Sequence, residues 1–150
     1  MTDSASQTSE TQPRGKNSAG RIATAIIRVL LALVFLVFGL NGFLNFMPAP
    51  KDLPPDIITV SSALVKGGYM AVVAATEIIA AVLLLSNRFV PLAVALLAPI
   101  VAGIITFHIA IAPSTIVPGI VVLVMELYLA WAYRGAFRPM LRAKVAPGPV

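Results

Sequence analysis

Four long apolar stretches dominate this chain, and most of its charged residues lie between or outside them. The stretches cover residues 22–44, 67–85, 89–112 and 115–133. Each is close to the ~20 residues with which a helix crosses a ~30 Å hydrocarbon core. Their apolar residues are continuous rather than alternating, and only helices or closed barrels satisfy backbone hydrogen bonds in lipid. The pattern therefore predicts an all-α membrane protein in which four transmembrane helices form an antiparallel bundle.

The spans and their turns leave no room for a separate soluble domain. We predict a disordered cytoplasmic tail over residues 1–20, because this segment is polar and has almost no bulky apolar side chain. The four-helix transmembrane domain is predicted over residues 21–142, and a flexible C-terminal tail over residues 143–150. A proline-rich loop follows the first span. A short amphipathic segment at 56–64 then leads to the second span, and we expect it along the outer membrane surface.

Basic residues indicate how the chain is oriented. Arg21 precedes the first span, Arg88 lies in the turn between the second and third spans, and Arg134 follows the fourth. Lys and Arg accumulate in cytoplasmic segments, so both termini are predicted to be cytoplasmic. The same distribution argues against nucleic-acid binding, in spite of a formal net charge of +5.

The residue types exclude several cofactors. The chain has no cysteine, which excludes a disulfide framework, dithiol chemistry and thiolate-ligated metal clusters. His108 is the only histidine, so a haem with two histidine ligands is excluded as well. A single histidine without a nearby thiolate or carboxylate is a poor metal ligand set. We therefore predict no metal site.

Three ionisable side chains lie inside the predicted spans, where a charge is costly and needs a partner or a purpose. They are Arg28, Glu77 and Glu126. From the helical rise, they lie about 10, 15 and 12 Å from the cytoplasmic boundary, so they can meet in the cytoplasmic half of the bundle. One interpretation is a buried Arg–Glu pair that fixes packing. The other is a proton-accepting or headgroup-binding site.

A second polar cluster is predicted near the outer surface, and its members are Asn41, Asn45, Lys66 and His108. A histidine of this kind is either a hydrogen-bonded interfacial residue or part of a ligand site.

Small residues accompany both clusters. Ala74, Ala80 and Ala81 leave space beside Glu77, either for a neighbouring helix or for a flat lipid-soluble ring. Glycines such as Gly39 and Gly42 favour close helix packing.

The chain resembles the DoxX-like family of small four-helix bacterial membrane proteins in its hydropathy pattern and in several polar and aromatic residues. The resemblance covers about residues 21–141. The matching features are Arg28, Phe35 to Gly39, Asn41-Gly42-Phe43, Glu77, Leu83 to Leu85, Pro91, Phe107-His108, Arg134 and Phe137-Arg138-Pro139. The chain departs from the common pattern at Gly42, where many members carry a lysine before the phenylalanine.

The resemblance implies a four-helix bundle in the bacterial cytoplasmic (inner) membrane. Some relatives are linked to quinone-coupled oxidation of sulfur compounds, and others associate with oxidative-stress enzymes. Our first hypothesis is therefore an accessory subunit of a quinone-linked or oxidative-stress-related membrane system, without assigned catalysis of its own. Quinone is its one candidate cofactor. Its expected partners are the lipid bilayer and other membrane or redox subunits.

Two other functions stay open at this point. One is a non-catalytic scaffold or assembly factor, in which the buried charges serve packing alone. The other is a proton-coupled permease for a small solute. Four helices enclose little space, so a permease would require a homo-oligomer.

Overall fold

The structure, a computed structural model, describes residues 15–48, 54–111, 113–141 and 143, and every regular element in these ranges is helical. The helices are α1 (Gly15–Leu44), α2 (Pro55–Lys66), α3 (Tyr69–Leu85), α4 (Val90–Ala110), α5 (Ile116–Ala132) and α6 (Arg134–Phe137). A 3₁₀ turn at Pro113–Thr115 leads into α5, and another at Arg138–Leu141 follows α6. The all-α prediction is therefore confirmed for the described residues.

Length and apolar composition support a membrane protein with three or four spans. Ser18–Leu44, Val90–Ala110 and Pro113–Ala132 are each long and apolar enough to cross a bilayer. The helices α2 and α3 pass the same test only as a pair, which is bent by 73°. Many large apolar side chains on the outer faces of the helices are exposed, as is expected where lipid is the solvent. The antiparallel arrangement and the cytoplasmic termini stay predictions.

The first helix begins earlier than the apolar pattern indicates. It starts at Gly15, so residues 15–20, which we expected to be disordered, are helical. Helix propagation is easier than nucleation, and no proline lies between residues 15 and 22 to stop the apolar span from extending into its polar flank. The rest of the predicted N-terminal tail, residues 1–14, lies outside the described residues. So do residues 49–53 of the proline-rich loop and residues 144–150 of the C-terminal tail.

Two glycines separate α2 from α3. Gly68 has a φ of 75°, which a glycine adopts without steric cost. This conformation ends α2 and turns the chain into α3, which therefore begins at Tyr69 rather than at residue 67. The predicted amphipathic segment is part of α2, where Asp56 in the first turn and Lys66 in the last complement the helix dipole.

Four helices pack around a common interior. α3 contacts α1 and α4, and α5 contacts α4 and α1. Most of the buried core comes from residues near the α3–α4 turn and from the facing parts of α1 and α5. Its members are Leu31, Ala32, Phe35, Ala80, Ala81, Leu84, Val90, Ala93, Val94, Leu97, Val101 and Leu129.

The contact between α1 and α3 depends on glycines in α1. A Cβ atom placed on Gly39 would lie 2.8 Å from Ile78 Cγ1 and 2.9 Å from the carbonyl oxygen of Ala74. A Cβ atom on Gly42 would lie 2.6 Å from Ala74 Cβ. These distances leave no space for a side chain, so the two helices approach backbone to backbone, as small residues permit in membrane helices.

We expect the substitution Gly39→Ala to lower the free energy of unfolding by about 1–3 kcal/mol, because the added methyl group overpacks the α1–α3 contact. The measurement is thermal unfolding in detergent, followed by circular dichroism. Gly103→Ala is the matched control, since a Cβ on Gly103 of α4 meets nothing within 4 Å. There the loss of a helical glycine should stabilise the protein by about 0.5–1 kcal/mol. Equal effects of the two substitutions would contradict the close α1–α3 contact.

Candidate functional site

The four long helices enclose a cavity of about 470 Å³, which we call the central cavity. Its walls are largely apolar, and Gly42, Ala74 and Gly119 contribute small residues to them. Its polar lining residues come from every side of the interior: Asn41 from α1, Glu77 from α3, His108 from α4, and Thr115 from the turn before α5. A mostly apolar cavity with a few convergent polar groups is the usual form of a small-molecule site.

A hydrogen bond within α4 determines which ring nitrogen of neutral His108 carries the hydrogen. Its Nδ1 lies 2.7 Å from the carbonyl oxygen of Ile104, one turn earlier on α4. A carbonyl oxygen only accepts, so Nδ1 carries the hydrogen and donates it. In the neutral ring, Nε2 then carries a lone pair and can accept a hydrogen bond. The ring of Phe107 meets the imidazole edge to face, with the ring centroids 5.6 Å apart.

Asn41 offers the complementary group. Its Oδ1 accepts a hydrogen bond from the backbone N–H of Met47 at 2.7 Å, so its amide nitrogen is left as a donor. The same residue holds the end of α1, because its carbonyl oxygen accepts the backbone N–H of Asn45 at 2.9 Å. Asn45 adopts a left-handed conformation, with a φ of 49°, as asparagine does readily at helix ends. The central cavity therefore has both a donor and an acceptor among its polar groups.

A second space, the lateral groove, lies between α3 and α4 on the side of α2. It has a volume of about 710 Å³ and shares Met70, Val73, Glu77, Ile104 and His108 with the central cavity. These shared residues form the α3–α4 wall between the two spaces. The lateral groove is also lined by exposed apolar side chains, among them Val65, Val72 and Phe107, and so it opens on the lipid-facing surface.

Glu77 stands in that wall. Only 8% of the residue is accessible, and it lines both the central cavity and the lateral groove. Ala74, Ala80 and Ala81, which we considered as space for a helix or for a ring, are themselves buried. Helix packing, including α1 at Gly39, fills part of the space around Glu77. The open space lies on the side of α4.

The three predicted intramembrane residues do not line one common cavity. Arg28 lines a separate space, the basic cavity, together with Arg21 and Arg134. Glu126 is 4% accessible and does not line the central cavity, the lateral groove or the basic cavity. Arg28 Nη1 and Glu126 Oε1 are both buried and have no hydrogen-bond partner among the described residues, so they are not bonded to each other. Both interpretations of these residues, as a packing pair or as a binding site, stay predictions.

The predicted outer cluster is also divided. Asn41 and His108 come together in the central cavity. Asn45 and Lys66 are exposed and line neither the central cavity nor the lateral groove. Thr115 was not predicted as a site residue, and Glu77 and His108 were predicted to belong to two separate clusters. The spacing of Ala95, Pro99 and Gly103 on α4 could have indicated a space shared by Glu77 and His108, because it places small or ring-shaped residues along the groove.

Similarity to a family model identifies the family of this chain. The model of the DoxX family matches residues 23–109, which include α2, α3, nearly all of α4 and most of α1. The matched range contains Asn41, Glu77 and His108 and ends before α5. No curated protein and no solved structure matches the chain. Because the family model covers more than half of the sequence, the chain belongs to the DoxX family.

Proposed function

We propose that this protein is an accessory subunit of a quinone-linked membrane redox system and that its central cavity holds the quinone ring. The proposal rests on the apolar central cavity, in which Asn41 supplies a donor and His108 an acceptor. A groove that opens on the lipid-facing surface borders this cavity.

The chemistry of a quinone matches this pair of groups. In the oxidised form its ring oxygens are carbonyls, which accept hydrogen bonds. In the reduced form they are hydroxyls, which also donate. The amide nitrogen of Asn41 suits a carbonyl, and Nε2 of neutral His108 suits a hydroxyl. The volume of about 470 Å³ also lies within the range of roughly 300–1,000 Å³ for small-molecule sites.

The lateral groove supports access from the bilayer. A quinone is dissolved in lipid, so its site needs an entrance at membrane depth rather than from water. The groove offers apolar walls, and Gly103 leaves it open along α4. An isoprenoid chain can stay in the groove while the ring passes the α3–α4 wall.

Glu77 fits a role in proton exchange. Reduction of a quinone takes up electrons and protons in equal number, and its oxidation releases them. A carboxyl group that faces both spaces can pass a proton to or from the ring oxygens, directly or through water. The chain has no cysteine, so the proposed role does not include thiol redox chemistry of its own.

We further infer that residues 21–142 form four antiparallel spans in the bacterial cytoplasmic membrane, with both termini in the cytoplasm. Arg21, Asn87 and Arg134 support this arrangement because they line the same basic cavity from three different parts of the chain. A hydrogen-bond contact of 3.2 Å between the hydroxyl groups of Thr24 and Tyr128 joins α1 to α5 at this end. The end of the helix bundle at which these basic residues gather is the end expected to face the cytoplasm.

Substitution of His108 tests the quinone site. We expect His108→Phe to lower quinone affinity by about tenfold, because a planar aromatic ring is kept while the acceptor nitrogen is lost. The measurement is the amount of quinone per protein after purification in native-lipid particles, followed by titration of the depleted protein with a short-chain quinone.

Thr106→Val is the matched control for this experiment. Thr106 is exposed on the same helix and lines neither the central cavity nor the lateral groove. Its hydroxyl group donates a hydrogen bond to the carbonyl oxygen of Ala102. Its substitution should leave quinone content unchanged. Equal quinone content in the wild type and in His108→Phe would sink the proposal. A wild-type protein that holds a protein partner but no quinone would favour the scaffold instead.

The absence of native cysteine makes the orientation directly testable. In Ser62→Cys the thiol lies on exposed α2, and in Ser86→Cys it lies at the exposed α3–α4 turn. With a membrane-impermeant maleimide, we expect labelling of Ser62→Cys in spheroplasts and of Ser86→Cys only after lysis. The reverse pattern would contradict cytoplasmic termini.

A further inference from the structure

We propose that the basic cavity binds an anionic phosphate group, supplied by the headgroup of an acidic phospholipid. This site shares no residue with the central cavity or the lateral groove, so the proposal does not depend on quinone binding.

The basic cavity has a volume of about 700 Å³ and lies where the beginning of α1 meets the end of α5 and the α3–α4 turn. Arg21, Arg28 and Arg134 line it, and none of its described lining residues is acidic. Three guanidinium groups without a carboxylate in the same cavity produce a positive field that an anion would neutralise. Basic pockets between membrane helices on the cytoplasmic side are typical sites for anionic lipid headgroups.

Arg28 is the deepest of these arginines in the predicted span, and its buried guanidinium nitrogen is the strongest indication of an anion site. It follows Arg21 by two helical turns, so the two side chains lie on the same face of α1. Arg28 Nη1 is buried and has no hydrogen-bond partner among the described residues. A buried donor of a charged group is costly when unsatisfied. A phosphate oxygen would satisfy it, and Glu126, whose own Oε1 is unpartnered, does not line the basic cavity.

Arg134 is held in place by its neighbours before any ligand binds. Its Nη1 donates to the carbonyl oxygen of Trp131 at 3.0 Å, and its guanidinium carbon lies 4.7 Å from the centre of the Trp131 ring. Such stacking orients the planar guanidinium, which suits paired hydrogen bonds to a phosphate. Preorganisation of this kind reduces the entropy lost on binding.

The surroundings of the basic cavity favour a lipid over a free phosphate. Tyr128 and Trp131 line it, and aromatic residues of this type concentrate at the level of the lipid headgroups. Ile22 on α1 and Leu127 on α5 are exposed and can contact acyl chains next to the basic cavity. A free phosphate would use the arginines but not these apolar faces.

Native mass spectrometry of the full-length protein in detergent, titrated with phosphatidylglycerol or phosphatidylcholine, tests the site. We expect one phosphatidylglycerol to bind at least about tenfold more tightly than phosphatidylcholine, and Arg134→Gln to weaken it by about tenfold. Arg28→Gln should have a similar effect. Because Arg134 is exposed, its substitution tests the proposal even if Arg28→Gln fails to fold.

Arg88→Gln is the matched control, since it removes the same charge from an exposed residue that does not line the basic cavity. It should change lipid affinity by less than about twofold. If inorganic phosphate competes with the same affinity as the lipid, the cavity is an anion site, but its ligand is a soluble phosphate rather than a lipid headgroup. Equal binding of both lipids, or equal weakening by Arg88→Gln and Arg134→Gln, would overturn the proposal.

Discussion

The close approach of α1 and α3 is the contact on which the rest of the membrane domain depends. Helices in lipid gain little from hydrophobic association, so their packing relies on how closely the backbones can meet. Gly39 and Gly42 allow α1 to lie directly against Ala74 and Ile78. A Cβ atom on Gly39 would also lie 3.1 Å from Glu77 Cβ, so the same contact covers one side of that residue. The remaining side of Glu77 faces the spaces next to α4, and this asymmetry creates the candidate site.

The interior is divided into a packed half and a hollow half. The buried cluster of Leu84, Val90 and Leu97 surrounds the α3–α4 turn and holds the helices together there. The central cavity and the lateral groove lie farther from that turn, where Gly103, Gly119 and Gly42 replace larger side chains. The basic cavity lies beyond the packed half, which separates it from the candidate quinone site.

The sequence predicted those features that depend on hydropathy and on local backbone chemistry. The apolar runs indicated the long helices, and Gly67-Gly68 marked the start of the second span. Side-chain neighbours across helices were harder to predict. Depth along the membrane suggested that Arg28, Glu77 and Glu126 could meet. Whether they do depends on the rotation of each helix about its axis, which decides the direction in which a side chain points. A helix that is apolar on all sides gives no sequence signal for that rotation. For the same reason, the pairing of Asn41 with His108 around the central cavity required the structure.

Photoaffinity labelling can determine whether a quinone ring occupies the central cavity. The protein would be reconstituted with a photoreactive quinone, irradiated, digested and mapped by peptide mass spectrometry. We expect label on Phe35 and Val122, which line the central cavity but not the lateral groove. Excess unlabelled quinone should displace the label, and Gly103→Leu, which fills the groove, should reduce it. Label that is spread over lipid-facing residues such as Ile79 and Val124, and that is insensitive to competition, would contradict it.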